Sequence, residues 1–509
     1  MITLINPPGI KTFSGLQMHT PNPPLGLAYI AAALREAGFE HRVIDATGES
    51  LDAVSPYPDR DDFLVQGLTI DEIARRIDPE TAVVGISCMF STLWPVVHRV
   101  ADAVREKAPA ALLVLGGEHG TAVPEHVLAT SPFDIVVLGE GEETFVDLLR
   151  ARAAGRALSE VKGIALRLDG RVVNTGLSAR RRDIDGIPLP AWDAFPIREY
   201  IARHQTNGIN LGRSMPMLGT RGCPFQCTFC SNPAMWTQRW IARDPRLLAD
   251  EMALYVRTYQ VTNFDFQDLT AIVKRQWIVD FCHELIDRNL NITWQMPSGT
   301  RAEVFDAEVA DLLYRSGCRA LAFAPESGSP AILKAVKKQV DLDHMLVAMR
   351  SAVKRGLKLS CFIVIGFPDD TPATLRQTLA LIRRMARLGV YDVAVSKFVP
   401  YPGSELFRRL QRQGKIELDD EFFVSPMDFY TARAPSYADR VSTRRLYWTM
   451  LWLFVNFYVI SFALRPWRVV RALVRATFTG REETRYAKWF VDVLFTRRRW
   501  RRLAGGAVR

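Results

Sequence analysis

The 509-residue sequence predicts an α/β fold with two βα-layered regions followed by a helical C-terminal region. In residues 1–155 short apolar runs rich in β-branched residues alternate with helical patterns, which is typical of a parallel sheet covered on both faces. The alternation resumes at Met215, and a charge-free run of 19 residues, 446–464, comes after it. A chain of this length favours roughly three domains. We therefore expect domains at 1–155, 211–425 and 426–509, with a hairpin-containing linker at 156–210.

Charge and cysteine content indicate where the protein works. The N-terminus has no basic region followed by an apolar run, so no secretory signal is visible. The 7 cysteines form no paired pattern, which fits a reducing cytoplasm, and we expect a cytoplasmic protein. The net charge of +10 lies in the tail, because residues 465–509 carry 13 Lys and Arg against 3 Asp and Glu while the rest is neutral.

The first region contains candidate strands at 2–5, 41–44, 82–87, 111–115 and 135–138. Its first helix is opened by Pro23 and Pro24 and stopped by Gly38. Open parallel sheets bind ligands at the carboxyl ends of their strands. The candidate ligand-binding residues at those ends are Asn6, Pro7, Asp45, Ser87, Met89, Ser91, Gly116, Gly117, His119, Gly139 and Gly141. A single glycine pair also serves a tight turn in any α/β protein, so only the whole set favours a site.

The second region is reached through a linker. Residues 163–174 alternate apolar and polar side chains around Asp169-Gly170, which predicts a β-hairpin. Candidate strands then follow at 217–220, 263–267, 292–296, 320–324, 359–365 and 392–398. These are too few to close an eight-stranded barrel, and the active-site end should again be the carboxyl ends of the strands.

Three of the cysteines fall within eight residues, in the stretch Arg221-Gly222-Cys223-Pro224-Phe225-Gln226-Cys227-Thr228-Phe229-Cys230. Cysteine thiolates hold iron–sulfur clusters, and three protein ligands on a four-iron cluster would leave one iron open. A structural zinc site is the alternative reading. Such a site normally needs four ligands in paired spacing, and no fourth Cys or His is near in the sequence.

The spacing Cys223-x3-Cys227-x2-Cys230, with an aromatic residue before the third cysteine, resembles that of the radical S-adenosylmethionine (SAM) enzymes. The resemblance implies a 4Fe-4S cluster on these cysteines, an open iron that chelates SAM, and reductive cleavage of SAM to a 5′-deoxyadenosyl radical. It also implies an open (β/α)6 partial TIM barrel and an external low-potential electron donor.

The same resemblance suggests which residues contact SAM. Phe229 adjoins the cluster, and Asp268 follows the second barrel strand, where the family contacts the SAM amino group. A carboxylate there could equally cap the next helix. Glu326 follows the fourth strand in a motif that departs from the family's Gly-x-Glu-x-Gly at its first glycine. Gly366 lies in a turn expected near adenine, and Arg301 is a candidate partner of the SAM carboxylate.

Residues 24–38, 116–124 and 138–144 resemble the cobalamin-binding domain that precedes the cluster in one large radical SAM class. They imply a Rossmann-like domain that holds cobalamin at the strand ends named above. The Asp-x-His-x-x-Gly motif, whose His ligates cobalt in many cobalamin proteins, is absent after the first strand. We therefore expect no protein His below the cobalt, residues 88–93 as neighbours of that face, and His119 in packing or in contact with the nucleotide tail.

Together these resemblances imply a cobalamin-dependent radical SAM enzyme, with methylation of an unactivated carbon as the first expectation. A cyclase or oxidoreductase acting on a porphyrin or lipid without methyl transfer uses the same parts and stays open. A non-catalytic cobalamin or iron–sulfur sensor is the alternative from another class.

The C-terminal run 446–464 is long enough for a membrane span of about 20 residues and has aromatic and arginine residues at its ends. Beyond it, aromatic residues interleave with basic ones, which suits an anionic membrane surface. A helix buried against the barrel, with a solvated basic tail, is the alternative. No recognition motif for nucleic acid is present, so none is expected as a partner. We expect a hydrophobic small-molecule substrate and a peripheral position at the inner membrane face if the tail docks there.

Overall fold

The computed structural model describes residues 1–12, 21–57, 60–468, 470, 471 and 474. The strands are β1 (Ile2–Asn6), β2 (Gly9–Thr12), β3 (His41–Asp45), β4 (Val54–Pro56), β5 (Phe63–Gln66), β6 (Val83–Ser87), β7 (Leu112–Gly116), β8 (Ile135–Val137), β9 (Ile164–Leu168), β10 (Arg171–Asn174), β11 (Ser214–Met217), β12 (Thr220–Arg221), β13 (Ile241–Ala242), β14 (Asn263–Phe266), β15 (Thr293–Thr300), β16 (Cys318–Glu326), β17 (Lys358–Ile365) and β18 (Asp392–Lys397). The helices are α1 (Leu25–Glu36), α2 (Ile70–Arg75), α3 (Trp94–Lys107), α4 (Glu118–Ala122), α5 (Pro124–Thr130), α6 (Glu142–Ala153), α7 (Ile197–Ala202), α8 (Asn232–Trp236), α9 (Pro245–Tyr259), α10 (Arg275–Arg288), α11 (Ala307–Arg315), α12 (Pro330–Ala335), α13 (Leu342–Arg355), α14 (Pro372–Leu388), α15 (Glu405–Arg412), α16 (Asp420–Val424) and α17 (Thr443–Leu464).

The first sheet has seven strands in the order β10-β9-β8-β7-β6-β1-β3. Strands β8, β7, β6, β1 and β3 are parallel, which confirms the βα-layered first region. The predicted hairpin is also confirmed, since Asp169 and Gly170 both have positive φ and join β9 to β10. That hairpin extends the edge of the first sheet, because β9 pairs antiparallel with β8.

A three-stranded antiparallel sheet, in the order β2-β5-β4, was not predicted. Its strands are only 3 or 4 residues long, and β2 pairs with β5 across more than fifty residues of chain. Strands this short carry too little periodic signal to be found from the sequence, because long-range pairing rather than local preference stabilises them.

The second sheet is an open arrangement of six parallel strands in the order β11-β14-β15-β16-β17-β18, which confirms the six-stranded partial barrel. Its first strand is β11, so the predicted strand at 217–220 was wrong in position. The chain leaves the barrel after Met217 because the carboxylate of Asp268 accepts hydrogen bonds from the Gly219 amide and the Thr220 hydroxyl. Residues 220–221 then pair with β13 instead.

The C-terminal helix α17 packs on α14 and β18 of the barrel. Its buried face includes Leu446, Met450, Leu453 and Phe457. Among the described residues it is the one helix that length and composition would allow to cross a membrane, and about a third of its most apolar window is buried. The shorter helix α16 instead packs against α3 of the first domain.

Candidate cofactor sites and family

The cysteine loop follows β12 and contains three free thiols. Cys227 is buried, while Cys223 and Cys230 are partly exposed. Burial raises the pKa of all three thiols, that of Cys230 to about 12, so an electron-poor metal is needed to make them thiolates at neutral pH. No group of three or more Cys, His, Asp or Glu among the described residues is tight enough for a single metal ion. Three cysteine thiols in one loop are the type of ligand that iron–sulfur clusters take.

Two cationic side chains stand beside the cysteine loop. Lys338 Nζ lies 2.9 Å from Glu326 Oε1, and both side chains are more than nine-tenths buried. Burial disfavours the charge of Lys338, but the Glu326 carboxylate and the Cys227 thiol outweigh it and raise the lysine pKa. Arg301 places its guanidinium 3.6 Å from the ring centre of Phe225, inside the loop. These cations would offset the charge of thiolates and of a bound anion.

Several buried polar atoms around the loop have no hydrogen-bond partner in the described part of the chain. They include the Thr228 hydroxyl, the Asn232 amide oxygen and the Ser329 hydroxyl. An unpaired buried polar group costs about 1–3 kcal/mol, so such atoms usually have a partner. Their grouping on both sides of the loop fits a site completed by a bound polar molecule. Glu326 adds to this, since its φ of 62° is a conformation that side chains rarely adopt.

Asp268 is placed at the base of the cysteine loop rather than on a helix. Its two oxygens accept the Gly219 amide at 3.1 Å and the Thr220 hydroxyl at 2.6 Å. Burial raises its pKa to about 6. The capping alternative is wrong for the nearest helix, because α10 begins at Arg275 after Lys274. A contact between Asp268 and the SAM amino group stays a prediction.

The Gly366 turn lies beside the aromatic residue of the loop. Phe229 and Phe367 have ring centres 5.4 Å apart. The Asp370 carboxylate accepts the amides of Gly366 and Phe367 at 2.8 and 3.1 Å, which fixes the turn. Gly366 has a φ of +88°, and a Cβ there would lie 2.4 Å from a methyl group of Leu446 in α17. The proposed adenine turn is therefore packed directly under the C-terminal helix.

A cavity of about 160 Å³ opens at the carboxyl ends of the first sheet. Six of the predicted cobalamin-binding residues line it, namely Ser87, Met89, Gly116, Gly117, Gly139 and Gly141. Gly117 has a φ of +104°, and a Cβ there would lie 2.6 Å from the Cys88 carbonyl oxygen. The cavity is lined mostly by apolar residues and glycines, which fits a flat ring or nucleotide placed against backbone.

Three other predicted cobalamin-binding residues anchor loops beside this cavity. Asp45 is buried and accepts hydrogen bonds from Asn6 Nδ2 at 2.7 Å and from the Tyr200 hydroxyl at 3.1 Å. Burial raises the pKa of Asp45 to about 6. The Pro7 carbonyl accepts the Thr47 hydroxyl at 2.9 Å. Contacts of these residues with a cofactor stay predictions.

His119 lies in an aromatic cluster, in agreement with the packing role predicted for it. Its ring centre is 4.7 Å from that of Trp94 and 5.0 Å from that of Phe423 in α16. Nδ1 is 3.0 Å from the Ser91 hydroxyl, and burial lowers the histidine pKa to about 3. Ser91 and His119 therefore fix the loop that follows β6.

Sequence reasoning missed the residues that join the two sites. Arg221, next to the cysteine loop, pairs with Glu140 at 3.1 Å and with Glu142 at 2.7 Å, and its side chain is 4% exposed. Burial disfavours the Arg221 charge, but the carboxylates outweigh it and raise the pKa. Met235 and Trp236 of α8 form part of the wall of the cavity in the first domain. The pattern around Cys223 could have drawn attention to Arg221, but nothing marked its distant partners.

Comparison with known proteins finds a matching family for each half of the chain. A family model described as the B12 binding domain matches residues 15–149, and one described as the Radical SAM superfamily matches residues 217–382. An uncharacterised methyltransferase of Pyrococcus horikoshii is 30% identical over 417 residues, which cover 80% of this chain and 82% of that protein. The chain belongs to the cobalamin-binding radical SAM enzymes.

This radical SAM enzyme has relatives with different named activities. The cytidylyl-2-hydroxyethylphosphonate methyltransferase of Streptomyces wedmorensis is 29% identical, covering 79% of this chain and 80% of that protein. The anaerobic magnesium-protoporphyrin IX monomethyl ester cyclase of Rubrivivax gelatinosus is 27% identical, covering 80% of this chain and 69% of that protein. Methyltransferases and a cyclase thus share this architecture.

Solved structures show the same fold. The cobalamin-dependent SAM radical enzyme OxsB gives a TM-score of 0.65 at 13% identity, covering 100% of this chain and 81% of that chain. The methyltransferase TsrM from Kitasatospora setae gives a TM-score of 0.62 at 17% identity, covering 81% of this chain and 74% of that chain. The α/β fold with its cobalamin-binding domain and radical SAM core is confirmed, and cobalamin, a 4Fe-4S cluster and SAM are the cofactors of this enzyme.

Proposed function

We propose that the enzyme is a C-methyltransferase that acts on an unactivated carbon of a hydrophobic substrate. One observation carries this proposal. The cavity at the strand ends of the first sheet is walled by Met235 and Trp236, and α8, to which they belong, starts two residues after Cys230. A methyl donor in that cavity and a radical generated at the cysteine loop would therefore act on the same bound substrate.

The cofactors supply the hard chemistry, namely a SAM-derived radical that removes a hydrogen atom and a cobalamin-borne methyl group that replaces it. The protein binds and orients the cofactors and the substrate. Cys223, Cys227 and Cys230 would hold the cluster, and Lys338 and Arg301 would offset its negative charge. The same cations would pair with an anionic group of SAM bound beside the loop.

Buried ion pairs between the domains would keep the two cofactors at a set distance. Arg221 joins the start of the cysteine loop to Glu140 and Glu142, which follow β8 in the first domain. Holding reactants in a fixed geometry is one of the largest contributions a protein makes to rate. The apolar lining of the shared wall would keep water away from reactive species.

Deuterated SAM tests the proposal. Reconstituted enzyme would be incubated without oxygen, with a low-potential reductant, methyl-deuterated SAM and an organic-solvent extract of the source cells. We expect a product that carries the deuterated methyl group, formed together with 5′-deoxyadenosine and absent in the Cys227→Ala variant. Release of 5′-deoxyadenosine with only unlabelled products would reject methyl transfer.

The Rubrivivax relative supports a second candidate function, ring closure on a porphyrin-like substrate without methyl transfer. The same incubation separates it from methylation, because its product would be oxidised or rearranged and free of deuterium. Addition of a magnesium porphyrin ester in place of the extract would test the substrate class directly.

External electron supply and location complete the proposal. The four cysteines outside the loop, Cys88, Cys282, Cys318 and Cys361, are all buried and are far apart in the sequence, so they form no second motif like that of the loop. We include a separate low-potential donor in the proposal. We also propose that the enzyme is cytoplasmic and contacts the inner membrane face through its C-terminal region.

A further inference from the structure

Beyond the first turn of the C-terminal helix, one exposed side carries large apolar side chains. We call it the outer stripe, and it consists of Trp448, Trp452, Val455 and Val459. Trp448 and Val459 are each close to 60% exposed, and so is Trp467, which follows the helix. The spacing of three or four residues keeps the four side chains of the stripe along one side of α17. Aligned large hydrophobic side chains on a surface commonly mark an interaction site.

The opposite face of α17 is fixed to the barrel. Leu446, Met450, Leu453 and Phe457 are fully buried there. Polar contacts add to the packing, since Arg383 Nε donates to Asn456 Oδ1 at 3.0 Å and the Tyr458 hydroxyl donates to Asp392 Oδ1 at 2.6 Å. To cross a membrane the helix would have to break these contacts and carry Asn456 into hydrocarbon, which is costly. The helix can therefore meet lipid only along its outer stripe.

Positive charges stand at both ends of the outer stripe. Exposed Arg444 and Arg445 lie at the start of α17. At its end, Arg465 donates to the carbonyls of Ala386 and Arg387, which places its charge at the C-terminus of α14. The 45 residues from 465 onward carry 13 basic and 3 acidic side chains. Acidic groups are absent from 443–464.

This charge pattern distinguishes between occupants of the stripe. Two copies of the chain packed stripe to stripe, parallel or antiparallel, would bring arginine ends together, and like charges in contact oppose association. An anionic lipid surface offers hydrocarbon to the tryptophans and phosphate groups to the arginines at once. Tryptophan is also well suited to the boundary between the two.

We infer that the outer stripe of α17 docks the enzyme, in the plane of the interface, on an anionic lipid surface. This rests on the membrane contact proposed above but not on methyl transfer. The docked helix would lie over Gly366, because Leu446 on its inner face packs against that turn. The site of lipid contact and the SAM site would thus be neighbours, which suits a substrate taken from the membrane.

Flotation with vesicles tests the inference on the full-length, cofactor-loaded enzyme. Vesicles rich in phosphatidylglycerol are compared with vesicles of phosphatidylcholine alone, at low and high salt. Wild type should float with the phosphatidylglycerol vesicles, bind less at high salt, and be released by alkaline carbonate. Trp448→Gln with Trp452→Gln should weaken binding by about tenfold or more, because the apolar anchor is lost.

The matched control is Leu247→Gln with Leu254→Gln, which removes two exposed hydrophobic residues from one side of α9. This control should bind like wild type. Point changes are preferred to removal of α17, which would strip Leu446 and Leu453 from the barrel core.

Four outcomes would overturn the inference. They are equal binding by the tryptophan variant and wild type, no binding by wild type, resistance to carbonate extraction as expected of a spanning helix, and a dimer in solution that the tryptophan variant abolishes. Binding is measured without turnover, so an enzyme that docks but transfers no methyl group would reject only the chemistry.

Discussion

The two sheets of the enzyme present their cofactor sites in opposite ways. At the first sheet the candidate site is a space at the strand ends, and Gly116, Gly117, Gly139 and Gly141 are among the residues that line it. At the barrel the site is a set of reactive groups, formed by cysteine thiols and a buried Lys338–Glu326 pair. Added atoms should therefore damage the first site, whereas lost functional groups should damage the second. The four predictions that follow address the cysteine loop, the junction between the two regions, the cavity of the first sheet and the carboxyl group of Asp45.

Cys227→Ala should abolish radical chemistry while sparing cobalamin. Loss of one thiol leaves two ligands for the cluster, so bound iron and 5′-deoxyadenosine formation should fall below detection. The cavity of the first domain does not include Cys227, so cobalamin should still bind. Iron analysis, visible absorption and product assay check this.

The control is Cys282→Ala, which removes an equally buried thiol from α10 and should keep its iron. Full iron content in the Cys227 variant would reject the ligand assignment.

Arg221→Met should destabilise the junction between the two regions. It leaves Glu142, which is largely buried, without the cation that pairs with it, and leaves Glu140 paired with Arg180 only. Breaking a buried ion pair costs about 3–5 kcal/mol. The free energy of unfolding in urea measures the effect.

Arg35→Met is the matched control, because its pair with Asp193 is exposed on both sides and such pairs contribute about 0–1 kcal/mol. Similar losses in both variants would mean that the junction is not the source of stability.

Gly117→Ala should weaken cobalamin binding by about tenfold or more and leave the cluster intact, because the strained conformation alone costs about 1–3 kcal/mol. The new Cβ would also approach the Cys88 carbonyl oxygen to 2.6 Å. Absorbance titration with cobalamin and iron analysis measure the two sites separately.

Gly155→Ala isolates the strain, since its φ is +65° and no atom lies within 4 Å of a Cβ there. Normal cobalamin affinity in Gly117→Ala would show that the cavity does not hold the cofactor.

Asp45→Asn should change how stability depends on pH. The folded-state pKa of Asp45 is about 6, above its usual 3.8, so the native state holds a proton that the unfolded chain releases. The stabilisation is present below pH 4 and is lost as the pH rises through about 6. Wild type should therefore lose up to about 3 kcal/mol relative to the variant over this range.

Asp193→Asn is the control of opposite sign, because its hydrogen bond with Arg35 lowers the Asp193 pKa. A wild-type stability that tracks the Asp45 variant at every pH would show that the pKa of this carboxyl group does not change on folding.

The contrast between the sites also explains what the sequence could predict. The cysteine ligands of the Cys223 to Cys230 loop could be predicted because they lie close together in the sequence at a characteristic spacing. The parallel strands were visible for the same reason, except that β11 lies three residues earlier than expected. Its end depends on hydrogen bonds from Gly219 and Thr220 to Asp268, about fifty positions away.

Partners distant in sequence could not be predicted. Nothing near Lys338 indicates that it meets Glu326 beside the loop, and nothing near Glu140 indicates its bond to Arg221. The sequence also did not decide whether residues 446–464 are buried, lie at a membrane surface or span a membrane. Composition alone does not say which side of a helix packs against the protein. The structure divides that helix into a buried and an exposed face.

Leu446 occupies the space that a side chain at position 366 would need. A larger residue at 366 would therefore have to displace Leu446 and also adopt a strained backbone conformation, because Gly366 has a φ of +88°. Because Leu446 belongs to the helix that carries the outer stripe, variation in the Gly366 turn and variation in the C-terminal helix cannot accumulate independently. A homologue that changes the Gly366 turn would therefore also need a change in how the C-terminal helix packs on it.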